Sequence, residues 1–366
     1  MNRILLSVFV YFCLSAVLPL FGQIASEPFE FQFEEKTLRG LIEKPQNKTP
    51  KAIVLIIPGY GRTNFVEGKW SYKLRENLVD AGLTVILWDK MGCGKSDGTF
   101  NAQQPVENSA QEAIAAIQEI KKRQVPGHEK IGLWGLSRAG WICPLINKKF
   151  PVDFWISVSG TNDKENFGYL LESNLRIAGK SESEVERLSA AWKKGHQLYC
   201  NQADYETFLA AIQPLRQDSL CRQLFGYTNK AEITEEDRKN HQFEQQSYTS
   251  KGHFDEASGL WVYIQNFDTL LLDFKCPVLA IFGQNDSQVD WKKTKQLYKE
   301  TIGQNPNTSL KIETFEQCNH SLRKCITCAF QEDLSSLSWQ HCDGYFETMK
   351  QWLSDHGMVQ SSVEKK

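Results

Sequence analysis

Ala52 to Ile57 reads AIVLII, an unbroken apolar run. Short runs of related character recur at Thr84 to Trp88 (TVILW), Lys130 to Trp134 (KIGLW), Val152 to Val158 (VDFWISV), Pro277 to Phe282 (PVLAIF) and Ser309 to Phe315 (SLKIETF). A strand with one wet face alternates apolar and polar residues. A strand that is apolar almost throughout must be covered on both faces, as in a parallel sheet. Between these runs lie helix-like segments: Trp70 to Ala81, Val106 to Arg123, Arg138 to Lys148, Trp291 to Thr301 and Gly344 to Leu353. In the second, Ala110, Ala113, Ile114, Ile117 and Ile120 recur at the spacing of one buried helical face. Alternating strands and helices predict right-handed βαβ units and a doubly wound, mostly parallel α/β sheet. Phe29 to Phe33 (FEFQF) alternates with period two and Thr37 to Glu43 follows a short turn, which predicts an antiparallel edge hairpin.

The regularity stops between Gly160 and Phe274. That stretch is more polar and includes SESEVERLSAAWKKGHQL, a helix with Ser181 as cap and Glu184 three residues on. No strand alternation is evident there, and residues 161–274 read as a mostly helical cap inserted into an α/β domain made of residues 23–160 and 275–366. A chain of 366 residues, 41% of them hydrophobic, is long enough for one large domain with such an insertion. Lys and Arg total 42 against 44 Asp and Glu, with no basic block, so nucleic acid is not an expected partner.

Residues 1–22 carry Arg3 and then an apolar run from Ile4 to Phe21 broken by Ser7, Ser15 and Pro19. This predicts a signal peptide cut near Gly22 or Ala25 and a secreted or periplasmic protein without stable membrane insertion; an uncleaved anchor is the competing reading. Of ten cysteines, Cys13 lies in that segment. Export predicts disulfides among the other nine, which include Cys318, Cys325, Cys328 and Cys342, with at least one thiol left over. A single Cys-x-x-Cys at Cys325 and Cys328 lacks the second pair and histidines of a zinc site.

Gly135-Leu136-Ser137-Arg138-Ala139-Gly140 leads from a predicted strand straight into a helix. A serine on such a turn takes strained backbone angles, and small residues two positions either side leave it room. The turn presents the hydroxyl at a helix N-terminus, where developing negative charge is favoured. An ordinary helix cap is the plainer alternative.

Here the chain resembles the α/β-hydrolase family, over nearly everything after residue 22, with Ala139 in place of the usual third glycine. The resemblance implies a Ser-acid-His order along the chain. Gly283-Gln284-Asn285-Asp286 ends a predicted strand with an acid, and Glu316-Gln317-Cys318-Asn319-His320 supplies a histidine after the last one. Asp163, one strand earlier, and Asp290 are rival acids, and Asp286 has the plainer use of ending a turn. None of His128, His196, His241, His253, His341 or His356 lies in the loop after the last strand. Pro58-Gly59-Tyr60-Gly61-Arg62 resembles the family's oxyanion segment with proline replacing histidine. It implies backbone donors at Tyr60, with Gly61 second, and at Arg138, the residue after the serine.

Asp89-Lys90-Met91-Gly92-Cys93-Gly94-Lys95-Ser96 is similar to the family's glycine-rich loop and is given a structural role beside the oxyanion segment. Its glycine spacing is not that of a phosphate loop. Serine at 137 also excludes haloalkane and epoxide chemistry, which needs an acid there. The expectation is a cofactor-free and metal-free serine hydrolase of a small acyl substrate, with carboxylic ester cleavage leading. Thioesters and short peptides are the alternatives with the same triad, and a non-catalytic binding protein on the same scaffold is the alternative of another class. Within the cap, Tyr169, Leu170, Trp192 and Phe208 are candidate pocket residues, with ordinary packing the plainer role.

Overall fold

The computed structural model describes residues 24–68, 71–230, 232–334 and 340–360; the predicted signal segment lies outside these. Among the described residues, ten strands form two sheets: β1 (Ile24–Phe33), β2 (Lys36–Pro45), β3 (Ile53–Ile57), β4 (Thr84–Trp88), β5 (Ile131–Leu136), β6 (Phe154–Val158), β7 (His253–Asp255), β8 (Leu260–Val262), β9 (Val278–Gly283) and β10 (Leu310–Phe315). The large sheet runs β1-β2-β4-β3-β5-β6-β9-β10. β1 and β2 form the antiparallel edge hairpin, β2 joins β4 antiparallel, and every later pairing is parallel.

Both faces of β3, β4, β5, β6 and β9 are covered, which is why their sequences do not alternate, whereas the edge strand β10 is only partly buried. Ile53, Leu55 and Ile57 point into a core beneath α2 (Val106–Lys122) and α3 (Ala139–Lys149), whereas Val54 and Ile56 point to the opposite face under α1 (Tyr72–Ala81). Each such side chain contributes about 1.5–3 kcal/mol by leaving water. A single polar replacement within these strands would therefore disturb one layer or the other, according to the face its position serves.

The insertion folds as α4 (Phe167–Ile177), α5 (Glu182–Cys200), α6 (Tyr205–Ala211), α7 (Gln213–Gln217), α8 (Ser219–Phe225) and α9 (Glu235–Thr249) around its own apolar cluster. Ser181 and Glu184 form the expected capping box. The mostly helical cap also contains β7 and β8, a two-stranded hairpin that no alternation in the sequence signals. Each is only three residues long, too short for period two to register. The chain returns to the core through α10 (Phe267–Leu272), whose Phe267, Leu270 and Leu271 pack in the α2 and α3 cluster. α11 (Trp291–Glu300), α12 (Phe330–Leu334) and α13 (Tyr345–Asp355) complete the fold.

Candidate active site

Ser137 sits between β5 and α3 with φ of 59°, in the left-handed region, where a non-glycine residue stores about 1–3 kcal/mol. The turn is held on both sides. The Ser137 N–H donates to the Val158 carbonyl at 3.0 Å and the Gly140 N–H to the Ser137 carbonyl at 2.8 Å. The small-residue rule has a direct cause: a Cβ on Gly135 would stand 2.8 Å from the Ala139 Cβ and 2.9 Å from the Cys143 Sγ. Residues two before and two after the serine thus touch each other.

The acid and histidine loops follow β9 and β10, at the same edge of the sheet. His320 Nδ1 and Asp286 Oδ2 are 2.8 Å apart, with both side chains buried. The other carboxylate oxygen of Asp286 accepts the N–H groups of Gln288 at 2.8 Å and Val289 at 2.9 Å, so the carboxylate is fixed before it meets the imidazole. Asp163 is exposed, and Asp290 caps α11 by accepting the Lys293 N–H. Ser159 Oγ donates to the His320 carbonyl at 2.8 Å, one residue beyond the Val158 carbonyl that holds Ser137. The two halves of the site are therefore braced by adjacent residues at the end of β6.

The histidine loop is a closed structure in its own right. Cys318 bridges Lys324 across an antiparallel contact, the Asn319 side chain accepts the N–H groups of Ser321 and Arg323, and a disulfide joins Cys318 to Cys342. A second disulfide joins Cys325 to Cys328; Cys93, Cys143, Cys200, Cys221 and Cys276 are buried free thiols. The acid loop is stitched to it by the Asn285 N–H on the Cys318 carbonyl at 3.0 Å. Gly283 makes that approach possible, since a Cβ there would lie 2.3 Å from the Asn319 carbonyl oxygen.

On the other side of Ser137, among the described residues, no protein oxygen accepts the backbone N–H of Tyr60 or of Arg138. These two groups are available as donors to a ligand. The Arg138 side chain turns inward, donating to Ser109 Oγ at 3.1 Å and to the Gln104 carbonyl, and burial lowers its pKa. Lys90, within the glycine-rich loop whose sequence implies only a structural role, is buried here with its Nζ 3.2 Å from the Gly59 carbonyl oxygen. Burial, followed by the nearby Arg138, pulls its ammonium down to about 8.

A cavity of about 450 Å³ opens between Tyr60 and the cap, lined by rings that include Phe167, Trp192, Tyr199, Phe208 and Tyr227. It lies beside Tyr60; Ser137, Asp286 and His320 do not line it. Trp192 and Phe208 reach it as the sequence suggested. Tyr169 instead donates its hydroxyl to the Asp286 carbonyl at 3.0 Å, and Leu170 packs within the cap. At one wall His196 stacks on Trp192, and its Nε2 lies 3.7 Å from the fully buried Glu165. Burial pushes the Glu165 carboxyl up to about 8 and the His196 imidazole down to about 4.

An esterase of Pyrococcus furiosus superposes with a TM-score of 0.52 at 13% identity, over 91% of this chain and 91% of its own. DcsB in complex with its substrate analogue gives 0.52 at 14% identity, over 92% of this chain and 100% of its own. The acylaminoacyl peptidase of Pyrococcus horikoshii gives 0.51 at 14%, over 94% of this chain and 43% of that longer one. These likenesses establish an α/β-hydrolase fold. No curated protein sequence matches the chain. The family model of the X-Pro dipeptidyl-peptidases (S15 family) matches residues 38–321, which span both the α/β core and the cap. The chain therefore belongs to the S15 peptidase family, serine hydrolases of the α/β-hydrolase fold.

Proposed function

We propose that Ser137 is the nucleophile, His320 its general base and Asp286 the group that orients the imidazole, and that the protein hydrolyses carboxylic esters of small acyl substrates. The observation that carries this reading is the left-handed Ser137 turn at the same sheet edge as a buried Asp286–His320 pair 2.8 Å apart. A carboxylate facing Nδ1 favours the tautomer with its proton there, which leaves Nε2 to take the serine proton. Ser137 Oγ attacks the acyl carbonyl, the oxyanion is met by the N–H groups of Tyr60 and Arg138, and His320 returns the proton to the leaving oxygen. Water then releases the acyl group by the same steps in reverse.

Ester cleavage leads because an alkoxide leaves more readily than an amine, so a triad able to open amides also opens activated esters. A second reading, a peptidase acting on short peptides, is favoured by the family match over residues 38–321. In either case the aromatic cavity beside Tyr60 is where an apolar or planar part of the substrate would lodge. Export is part of the proposal, supported by the leader-like residues 1–22 and by two disulfides among the described residues. The test is a substrate panel of p-nitrophenyl esters, acyl thioesters and X-Pro anilides with wild type and Ser137→Ala. Turnover of esters that Ser137→Ala loses supports the reading. Turnover of anilides alone would transfer it to the peptidase, and full activity in Ser137→Ala would overturn both.

A further inference from the structure

Among the buried cations that the mechanism above does not use, Lys90 lies against the oxyanion segment. Lys90 is the second residue after β4 and is 7% exposed. Its backbone N–H donates to Thr63 Oγ1 at 2.8 Å, and the neighbouring Asp89 carboxylate accepts the N–H groups of Phe65 at 2.5 Å and Lys95 at 3.1 Å. The glycine-rich loop and the segment after β3 are thus tied together on either side of the Lys90 side chain. That side chain then reaches back to the Gly59 carbonyl at 3.2 Å, passing the Phe100 ring with its Nζ 5.5 Å from the centroid.

The Gly59 carbonyl and the Tyr60 N–H belong to one peptide unit, and no cis bond occurs among the described residues. In a planar trans peptide the C=O and N–H bonds point in opposite directions. A donor that fixes the carbonyl therefore fixes where the N–H is aimed. We propose that Lys90 is the positioning residue of the oxyanion site: its ammonium holds the Gly59 carbonyl, turns the Tyr60 N–H toward the developing oxyanion, and polarises that amide into a stronger donor. The proposal rests on the reading of Ser137 as nucleophile and Tyr60 N–H as oxyanion donor.

The charges around Lys90 give the device a pH dependence. Arg138 and Arg62 repel the ammonium, while Cys93 and Glu112 favour it. Arg138 is anchored on Ser109 and Gln104; Arg62 donates to the Gly92 carbonyl at 2.8 Å; Glu112 accepts the Trp88 indole N–H at 2.6 Å. With burial added, the ammonium titrates at about 8. Above that pH the amine still donates a hydrogen bond but no longer polarises the peptide, so kcat falls on the alkaline side.

The experiment measures kcat, KM and their pH profiles on a p-nitrophenyl ester for wild type, Lys90→Met and Lys90→Arg, with Ser137→Ala alongside. Lys90→Met is expected to lose ~10–100-fold in kcat, less than the ~10²–10³ for deleting an oxyanion donor, with KM changed less than about threefold. Lys90→Arg keeps a permanent charge, so it should recover part of kcat and move the alkaline limb up by more than one pH unit. A Lys90→Met enzyme within about twofold of wild type, or an alkaline limb unmoved in Lys90→Arg, overturns the proposal. Should Lys90→Met not fold, the limb in Lys90→Arg alone decides it. If Ser137→Ala remains active, the nucleophile reading fails; if it is dead while Lys90→Met is unaffected, only the positioning role fails.

Discussion

Gly283→Ala is the sharpest probe of how the site is held together. The added methyl would lie 2.3 Å from the Asn319 carbonyl oxygen and 2.4 Å from that of Cys318, both backbone atoms of the histidine loop. Reaching ordinary contact requires the loop to retreat by about 1 Å, because the β9 side is pinned within the sheet. The loop is itself stiff, closed by the Cys318–Cys342 disulfide and the Asn319 side chain, so the shift is transmitted to His320. The cost to stability is about 1–3 kcal/mol. The cost to kcat is roughly 10²-fold, the usual penalty for moving a reacting group by ~1 Å. Gly303→Ala is the matched control, since its Cβ would meet nothing closer than 3.5 Å. Initial rates on a p-nitrophenyl ester, with melting curves for both variants, make the comparison. A Gly283→Ala enzyme that melts lower but turns over like wild type would show that His320 does not depend on this approach.

Other outcomes follow from the same geometry. Ser137→Ala should lose roughly three to six decades in kcat, read by single-turnover kinetics, with its melting temperature nearly unchanged because alanine carries the same left-handed strain. Asp286→Asn keeps the N–H acceptors but turns His320 to the wrong tautomer, so about a 10⁴-fold loss in kcat at neutral pH is expected. Glu165 has its carboxyl raised to about 8 by burial, so its stabilising contribution is complete below about 4.5 and is lost as pH climbs to 8. Glu165→Gln removes that loss: melting curves should match wild type near pH 5 and rise above it toward pH 8, by at most roughly 3–5 kcal/mol. Breaking the 24-residue separation spanned by Cys318 and Cys342 with a double serine variant should cost about 3–4 kcal/mol, measured by denaturant unfolding.

The sheet was readable because burial on both faces leaves a plain signature: Ile53 to Ile57 and Val278 to Phe282 are apolar at every position, and their shortness and β-branched residues favour strands over buried helix. The serine turn was readable for a local reason, since Gly135 and Ala139 must touch. The features that were missed depend on contacts distant in the chain. Nothing around Lys90 announces that its ammonium will meet a carbonyl 31 residues earlier, and lysine in a polar glycine-rich loop reads as solvated. The β7–β8 hairpin is too short for periodicity, and its place is set by the cap, where the Glu165 N–H donates to the Trp261 carbonyl. Disulfide partners are likewise a matter of folded proximity: Cys318 and Cys342 meet only because β10 and α13 bring their loops together.

The strained hydroxyl of Ser137 is the proposed nucleophile of this hydrolase. A fluorophosphonate probe reports it directly, because it bonds covalently only to a serine activated by a base. Labelling of the purified full-length protein followed by peptide mass mapping should place the adduct on Ser137 alone, with no adduct in His320→Ala. An adduct on another serine, or equal labelling of Ser137→Ala, would show that Ser137 is not the nucleophile.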